Sequence, residues 1–277
     1  MIPFLHLGPL TLPTFGLMVA TAMFCAYFLL AADLRRRTAA GSLPKPPQNQ
    51  RPIDAETLVA IPSLAGIVGA KLYHVLETPS DLFAHPAAEL FSAYGFAWFG
   101  GLIAGIAAFI YLGRKHHIPL LQLFDIASPA AALGYGVGRI GCLLSGDGDY
   151  GIPTSLPWGM SFPNGVVPTT ARVHPTPIYE FLAALLITWI LWRLGSRQLA
   201  PASRQIPNSA QLSSRLANGV VFAWYLILTG MARFLVEFIR INPRSFFGLT
   251  NAQAASLFSL LLGFSLLFAL HKKGTAR

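Results

Sequence analysis

Residues 176–195 read TPIYEFLAALLITWILWRLG, an apolar stretch with one acid, Glu180, near its start and one base, Arg193, near its end. At about 1.5 Å per helical residue, such a run spans the roughly 30 Å hydrocarbon core of a bilayer. Pro175 and Pro177 mark where the helix begins, because proline is tolerated before and within a first turn. Comparable runs lie at 12–32, 57–77, 95–112, 120–137, 217–238 and 251–270. The pattern predicts an all-α polytopic membrane protein with seven transmembrane helices, a single membrane-embedded domain over 1–277. The runs at 95–112 and 120–137 are short and glycine-rich, which leaves tilted or partly re-entrant segments, and a total of six, as the alternative.

Composition agrees. The 277 residues are 54% hydrophobic and only 11% charged, with a mean hydropathy of +0.55, whereas about a quarter of an ordinary soluble domain is charged. Intrinsic disorder is excluded by the hydrophobicity, and a disulfide-stapled scaffold by the presence of only Cys25 and Cys142. Neither cysteine suggests a metal site. No basic residue precedes the first apolar run and no small-residue cleavage site follows it, so the run is expected to be a retained helix with Met1 as the mature start.

The basic residues orient the chain. Arg35, Arg36, Arg37, Lys45 and Arg51, then Arg114 and Lys115, then Arg193, Arg197, Arg204 and Arg215, then Lys272, Lys273 and Arg277 fall on alternate loops. Arg139, Arg172, Arg240 and Arg244 fall on the opposite side, while Lys71 and Arg233 lie within runs. Cytoplasmic loops retain basic residues, so the N-terminus is expected outside and the C-terminus in the cytoplasm. The net charge of +9 is then mostly topological, and no basic stripe interleaved with aromatics argues for nucleic acid.

The connectors at 33–56 and 196–216 are proline- or serine-rich and read as solvated cytoplasmic loops. The 138–175 segment is long, aromatic and dense in Gly and Pro, with Trp158, Phe162, Pro163 and Asn164, and is expected to form an ordered extracytoplasmic head. No internal repeat supports an inverted-repeat transporter. Gly136, Gly138 and Gly141 spell G-x-G-x-x-G, but they leave an apolar span and do not follow a soluble strand, so they do not mark a dinucleotide site. Asp147 to Gly151 resembles the opening of a calcium loop, yet the remaining ligands are missing and no metal is expected.

Ionisable groups within spans are functional candidates, since each costs a few kcal/mol to insert. Arg233, Glu237 and Arg240 share one helical face, and the second arginine leaves a positive surplus suited to an anion. Lys71, His74 and Glu77 share a face of the second run, with snorkelling as an equal explanation for the lysine. Arg139 stands among Gly134, Gly136, Gly138 and Gly141, small residues that let a headgroup or a backbone approach, and a guanidinium there suits bidentate phosphate binding. Helix capping is the alternative for Arg139. His174, Tyr179 and Glu180 open the fifth run and offer proton-transfer and hydrogen-bonding groups, or in the case of Glu180 simple helix N-terminal stabilisation. Gly100 and Gly101 allow either a narrow slot or close helix packing. Together these groups favour a site for an anionic amphiphile, most simply a phospholipid, in the outer leaflet. A base for an incoming nucleophile is then also required.

Four stretches carry a resemblance. Gly138-Arg139-Ile140-Gly141 with Ser145-Gly146-Asp147, His174 through Glu180, and Arg233 through Arg240 resemble the bacterial prolipoprotein diacylglyceryl transferase family. The opening Leu7 to Met18 and Phe99-Gly100-Gly101-Leu102 extend the resemblance to about residues 5–270. It implies a multi-pass enzyme of the bacterial inner membrane, without cofactor or metal. Such an enzyme moves the diacylglyceryl group of phosphatidylglycerol onto the lipobox cysteine of a prolipoprotein signal peptide and releases glycerol phosphate. By the same resemblance Arg139, Arg233 and Glu237 are the catalytic candidates, with Arg139 also holding the headgroup. Gly100, Gly101, Asp147, His174, Tyr179, Glu180 and Arg240 are expected at the substrate site. The chain departs from the family at Phe99, where a His is typical, at Cys142 and Ser145, where carboxamides are, at Asp147, where a Glu is, and at Phe15, where a Tyr is. The base is therefore open among His174, Asp147, Asp149 and Glu237. The rivals are a noncatalytic phospholipid-binding relative and a transporter of an anionic solute, against which stands an expected absence of charge deep in the cytoplasmic halves of the spans.

Overall fold

The computed structural model describes residues 2–45, 51–84, 86–92, 95–199, 216–245 and 247–275. In chain order the elements are β1 (Phe4–Leu7), β2 (Leu10–Pro13), α1 (Thr14–Ala39), α2 (Ala55–Glu77), α3 (Pro79–Ala84), α4 (Pro86–Phe91), α5 (Trp98–Lys115) and α6 (Leu120–Ser145). There follow β3 (Met160–Phe162), β4 (Thr169–Val173), α7 (Thr176–Gln198), α8 (Val220–Val236), a 3-10 turn (Glu237–Ile239) and α9 (Asn251–Thr275). Among the described residues, six stretches, in α1, α2, α6, α7, α8 with its 3-10 turn, and α9, are long and apolar enough to cross a membrane. The chain is thus a largely helical polytopic membrane protein. The seventh expected run is α5, whose 18 residues extend about 27 Å, close to the thickness of a hydrocarbon core.

The chain forms two compact units, one of residues 1–36 and 124–277, the other of residues 37–123. In the second unit α2 and α5 lie with their backbones almost touching. A Cβ placed on Gly100 would fall 2.3 Å from the Gly69 carbonyl oxygen, and one on Gly101 would fall 3.2 Å from that of Gly66. Gly100 and Gly101 thus sit at a small-residue helix contact. Lys71 is buried on α2, where its ammonium donates to the Ser92 hydroxyl at 2.8 Å and the Ser92 carbonyl at 3.3 Å. Its side chain turns to Ser92, in the connector after α4.

The first unit holds the remaining long helices, a core of Ala132, Ile187, Leu191 and Val221, and two small hairpins that the apolar runs did not foretell. Helix α6 runs eight residues beyond its expected end at 137, so Arg139 is helical. The glycines that shortened the expectation are stabilised by close packing. A Cβ on Gly136 would meet Ala184 of α7 at 2.7 Å, and one on Gly141 would meet Met18 of α1 at 3.1 Å. Asp125, fully buried in the first half of α6, accepts from the Gly219 and Phe222 backbone N–H groups at 2.6 and 2.7 Å and from Gln198 at 2.7 Å. The expected absence of charge from the cytoplasmic halves of the spans is corrected here, because this carboxylate caps the first turn of α8. Asp33 and Arg36 pair near the end of α1, where the Arg36 guanidinium stacks 3.6 Å over Trp192. Most of the 196–216 connector, and residues 46–50 of the 33–56 connector, lie outside the described residues.

Candidate active site

After Ser145 the chain turns sharply. Gly146 has φ +60° and donates to the Cys142 carbonyl at 2.9 Å, a left-handed helix end of the kind glycine permits. A Cβ on Gly146 would also lie 2.7 Å from the Gly165 Cα, so the head loop closes tightly over this turn. Tyr150, Phe162 and Val173 form a small apolar core beneath it, with the Tyr150 and Phe162 rings stacked at 5.2 Å. Gly151 pairs with Arg240 as an isolated antiparallel bridge, and the Ile152 N–H donates to the Ile239 carbonyl at 2.8 Å. These bonds draw the head loop to the end of α8, and Asp149 with it.

The outcome is a cluster of ion pairs built from α6, the head loop, α7 and the end of α8. Glu180, of which the side chain is 4% exposed, is its hub. One carboxylate oxygen accepts from the Tyr135 hydroxyl at 2.5 Å and from Arg233 at 2.7 Å; the other accepts from Arg139 at 2.8 Å and lies 3.4 Å from Arg240. Glu237 pairs with Arg233 at 3.0 Å and accepts from Asn242 at 2.6 Å. Asp149 pairs with both Arg139 and Arg240. Burial works against ionisation of Asp149, but the two guanidinium groups outweigh it and hold the carboxyl below the usual carboxylate range.

The structure thus brings together Arg139, Glu180, Arg233, Glu237 and Arg240 of the sequence candidates. It corrects their charge balance. Three guanidinium groups face three carboxylates, so the surplus positive charge inferred from the Arg233, Glu237, Arg240 face is offset by Glu180 and Asp149. Exposure still favours contact through arginine. The Arg233 side chain is 28% exposed, whereas that of Glu237 is 0% exposed, and a Cβ on Gly138, beside Arg139, would meet nothing within 4 Å. Arg240 is enclosed and also donates to the Asp149 carbonyl at 3.3 Å.

Asp147 accepts from the Asp149 N–H at 3.2 Å and so shapes the turn that presents Asp149. His174 and Tyr179 meet each other, with the imidazole Nδ1 3.2 Å from the Tyr179 hydroxyl, to which Trp158 donates at 2.7 Å. Gly100 and Gly101 belong to the α2 and α5 contact, and Phe99 at the start of α5 is exposed. Donor atoms of Cys142, Asp147 and Asp149 lie within 4.8 Å of one another, close enough to share a metal ion. Arg139 already serves that group as a cation, donating to the Cys142 sulfur at 3.2 Å and to Asp149. Tyr135 and the ion-pairing role of Asp149 escaped the sequence reading. The signal for Tyr135 was available, since it stands one helical turn before Arg139 on the same face.

Residues 3–269 match the model of the prolipoprotein diacylglyceryl transferase family. Proteins named phosphatidylglycerol-prolipoprotein diacylglyceryl transferase from several bacteria are similar to this chain. That of Clostridium tetani is 31% identical over 256 residues, covering 90% of this chain and 89% of its own. The Geobacter sulfurreducens protein is 32% identical over 273 residues, covering 95% and 92%. The Bordetella avium protein is 31% identical over 283 residues, covering 99% and 95%. An integral membrane enzyme family is thereby defined for this fold and site. The chain belongs to the prolipoprotein diacylglyceryl transferase family.

Proposed function

We propose that this protein transfers the diacylglyceryl group of phosphatidylglycerol to the lipobox cysteine of prolipoproteins in the bacterial inner membrane, as a seven-span enzyme with its N-terminus outside and its C-terminus in the cytoplasm. The observation that carries the reading is the cluster in which Arg139 and Arg233, each ordered by Glu180, present guanidinium groups at the end of membrane helices. In the reaction the substrate sulfur attacks the glycerol carbon that bears the phosphate. A carbon–sulfur bond forms, the carbon–oxygen bond breaks, and glycerol phosphate departs with the electron pair. Negative charge grows on the phosphate oxygens, and preorganised guanidinium groups stabilise it most where water is excluded. Arg139 and Arg233 are the headgroup residues in this account, Glu237 orients Arg233, and the enclosed Arg240 holds Asp149.

The thiol needs help to ionise at neutral pH, since its ordinary pKa is about 8.5. Of the four groups left open as base, Asp149 has both oxygens engaged by arginines, and Glu237 has one engaged by Arg233 and the other by Asn242. Asp147 bonds the Asp149 N–H and the Cys142 thiol, and His174 bonds Tyr179; neither is engaged by an arginine, which makes these two the first to test as proton acceptors. The test of the function is to incubate the purified protein with phosphatidylglycerol and a lipobox peptide and weigh the peptide. A diacylglyceryl increment that disappears when the peptide cysteine is replaced by serine supports the reading. No increment, with lipid still bound, points to a noncatalytic phospholipid-binding relative.

A further inference from the structure

Tyr135 joins the cluster through its hydroxyl. The residue is 47% exposed, yet its hydroxyl donates to Glu180 at 2.5 Å, on the same carboxylate oxygen that Arg233 uses at 2.7 Å. Tyr135 precedes Arg139 by four residues on α6, so both side chains project from one face of the helix. The tyrosine stands about 6 Å further from the head loop, one turn toward the middle of the span. A phospholipid whose phosphate meets Arg139 and Arg233 has its diacylated glycerol one step deeper along the same axis, followed by the first acyl carbons. An aromatic ring tethered by its hydroxyl is an apolar body with a polar tip, suited to that boundary.

We propose that Tyr135 is a substrate-positioning residue for the phospholipid. Its ring is the wall against which the diacylated glycerol lies, and its hydroxyl fixes Glu180 and, through it, the guanidinium groups of Arg139 and Arg233. The inference rests on the function proposed above and deepens it. The two parts of the side chain separate by mutation. Removing the hydroxyl alone leaves the wall and loosens the arginines, which act on the departing phosphate; removing the ring also takes the surface that aligns the lipid.

The experiment measures transfer to a lipobox peptide by the full chain in nanodiscs, with phosphatidylglycerol varied, for the wild type, Tyr135→Phe, Tyr135→Leu and Tyr135→Ala. The expected result for Tyr135→Phe is a fall in kcat of about tenfold, as for loss of a hydrogen bond to a charged group, with the apparent KM for the lipid raised less than in Tyr135→Ala. Tyr135→Ala should show the same fall in kcat and the larger rise in apparent KM, which the bulk of Tyr135→Leu reduces without restoring kcat. A merely structural role would not divide kcat from KM in this way. Wild-type kcat in Tyr135→Phe, or a wild-type apparent KM in Tyr135→Ala, overturns the inference. A wild-type chain that transfers nothing overturns the proposed function and this inference with it, whereas an active wild type with unmoved variants overturns this inference alone.

Discussion

Glu180 shows how the cluster divides its labour at the scale of single residues. Its buried carboxylate is shared by three arginines and a tyrosine, so Glu180→Gln leaves buried guanidinium charge uncompensated. Breaking a buried pair in this way costs about 3–5 kcal/mol, and the thermal midpoint in detergent should fall measurably, with loss of transfer. Arg233→Lys should keep the fold but impair transfer, because an ammonium lacks the planar fork that reaches both Glu180 and Glu237; wild-type rates there would mean that charge alone suffices. Asp149 supplies a pH dependence. Its folded pKa is depressed below the ordinary aspartate value of about 3.9, so its contribution to stability is complete above that value and is lost as the pH falls through the lower, folded one. Thermal midpoints of the wild type and Asp149→Asn should therefore differ most at neutral pH and converge under strongly acidic conditions.

Helices α6 and α8 act as the rails that bring these residues into register. The glycines of α6 look like weaknesses in sequence, yet a side chain at Gly136 would strike Ala184, while one at Gly138 would meet open space. Gly136→Leu should overpack the α6 and α7 contact and cost about 1–3 kcal/mol, whereas Gly138→Ala should leave the thermal midpoint almost unchanged. At the other end of α8, Asp125→Ala removes the acceptor of two backbone N–H groups and of Gln198, and should lower the midpoint by more than an exposed cap would. The apolar runs located these helices because length and hydropathy are local properties. Arg233 and Glu180 stood out because charge in a span is expensive, and Arg139 because small residues surround it. Asp125 was hidden by its apolar neighbours, since its partners lie 73 to 97 positions away. The ion pairs of Asp149 were hidden likewise, because only the fold brings a head-loop carboxylate to Arg139 and Arg240, whereas the shared face of Tyr135 and Arg139 was legible and the bond of Tyr135 to Glu180 was not.

For the whole molecule, the six apolar stretches among the described residues and the additional helix α5 fit a multi-pass protein, and the orientation proposed above has the β3 and β4 hairpin outside. In a cysteine-free background, Asn164→Cys in the head should be labelled by an impermeant reagent in intact cells, and Arg35→Cys near the end of α1 only after lysis. The reverse pattern would invert the proposed topology. The central claim is that Arg139 holds the phospholipid headgroup during transfer. The most direct measurement compares the wild type and Arg139→Ala for the diacylglyceryl mass added to a lipobox peptide, with monodispersity in detergent recorded for both. The account predicts a full increment for the wild type and none for a monodisperse Arg139→Ala; an Arg139→Ala protein that modifies the peptide at the wild-type rate would contradict it.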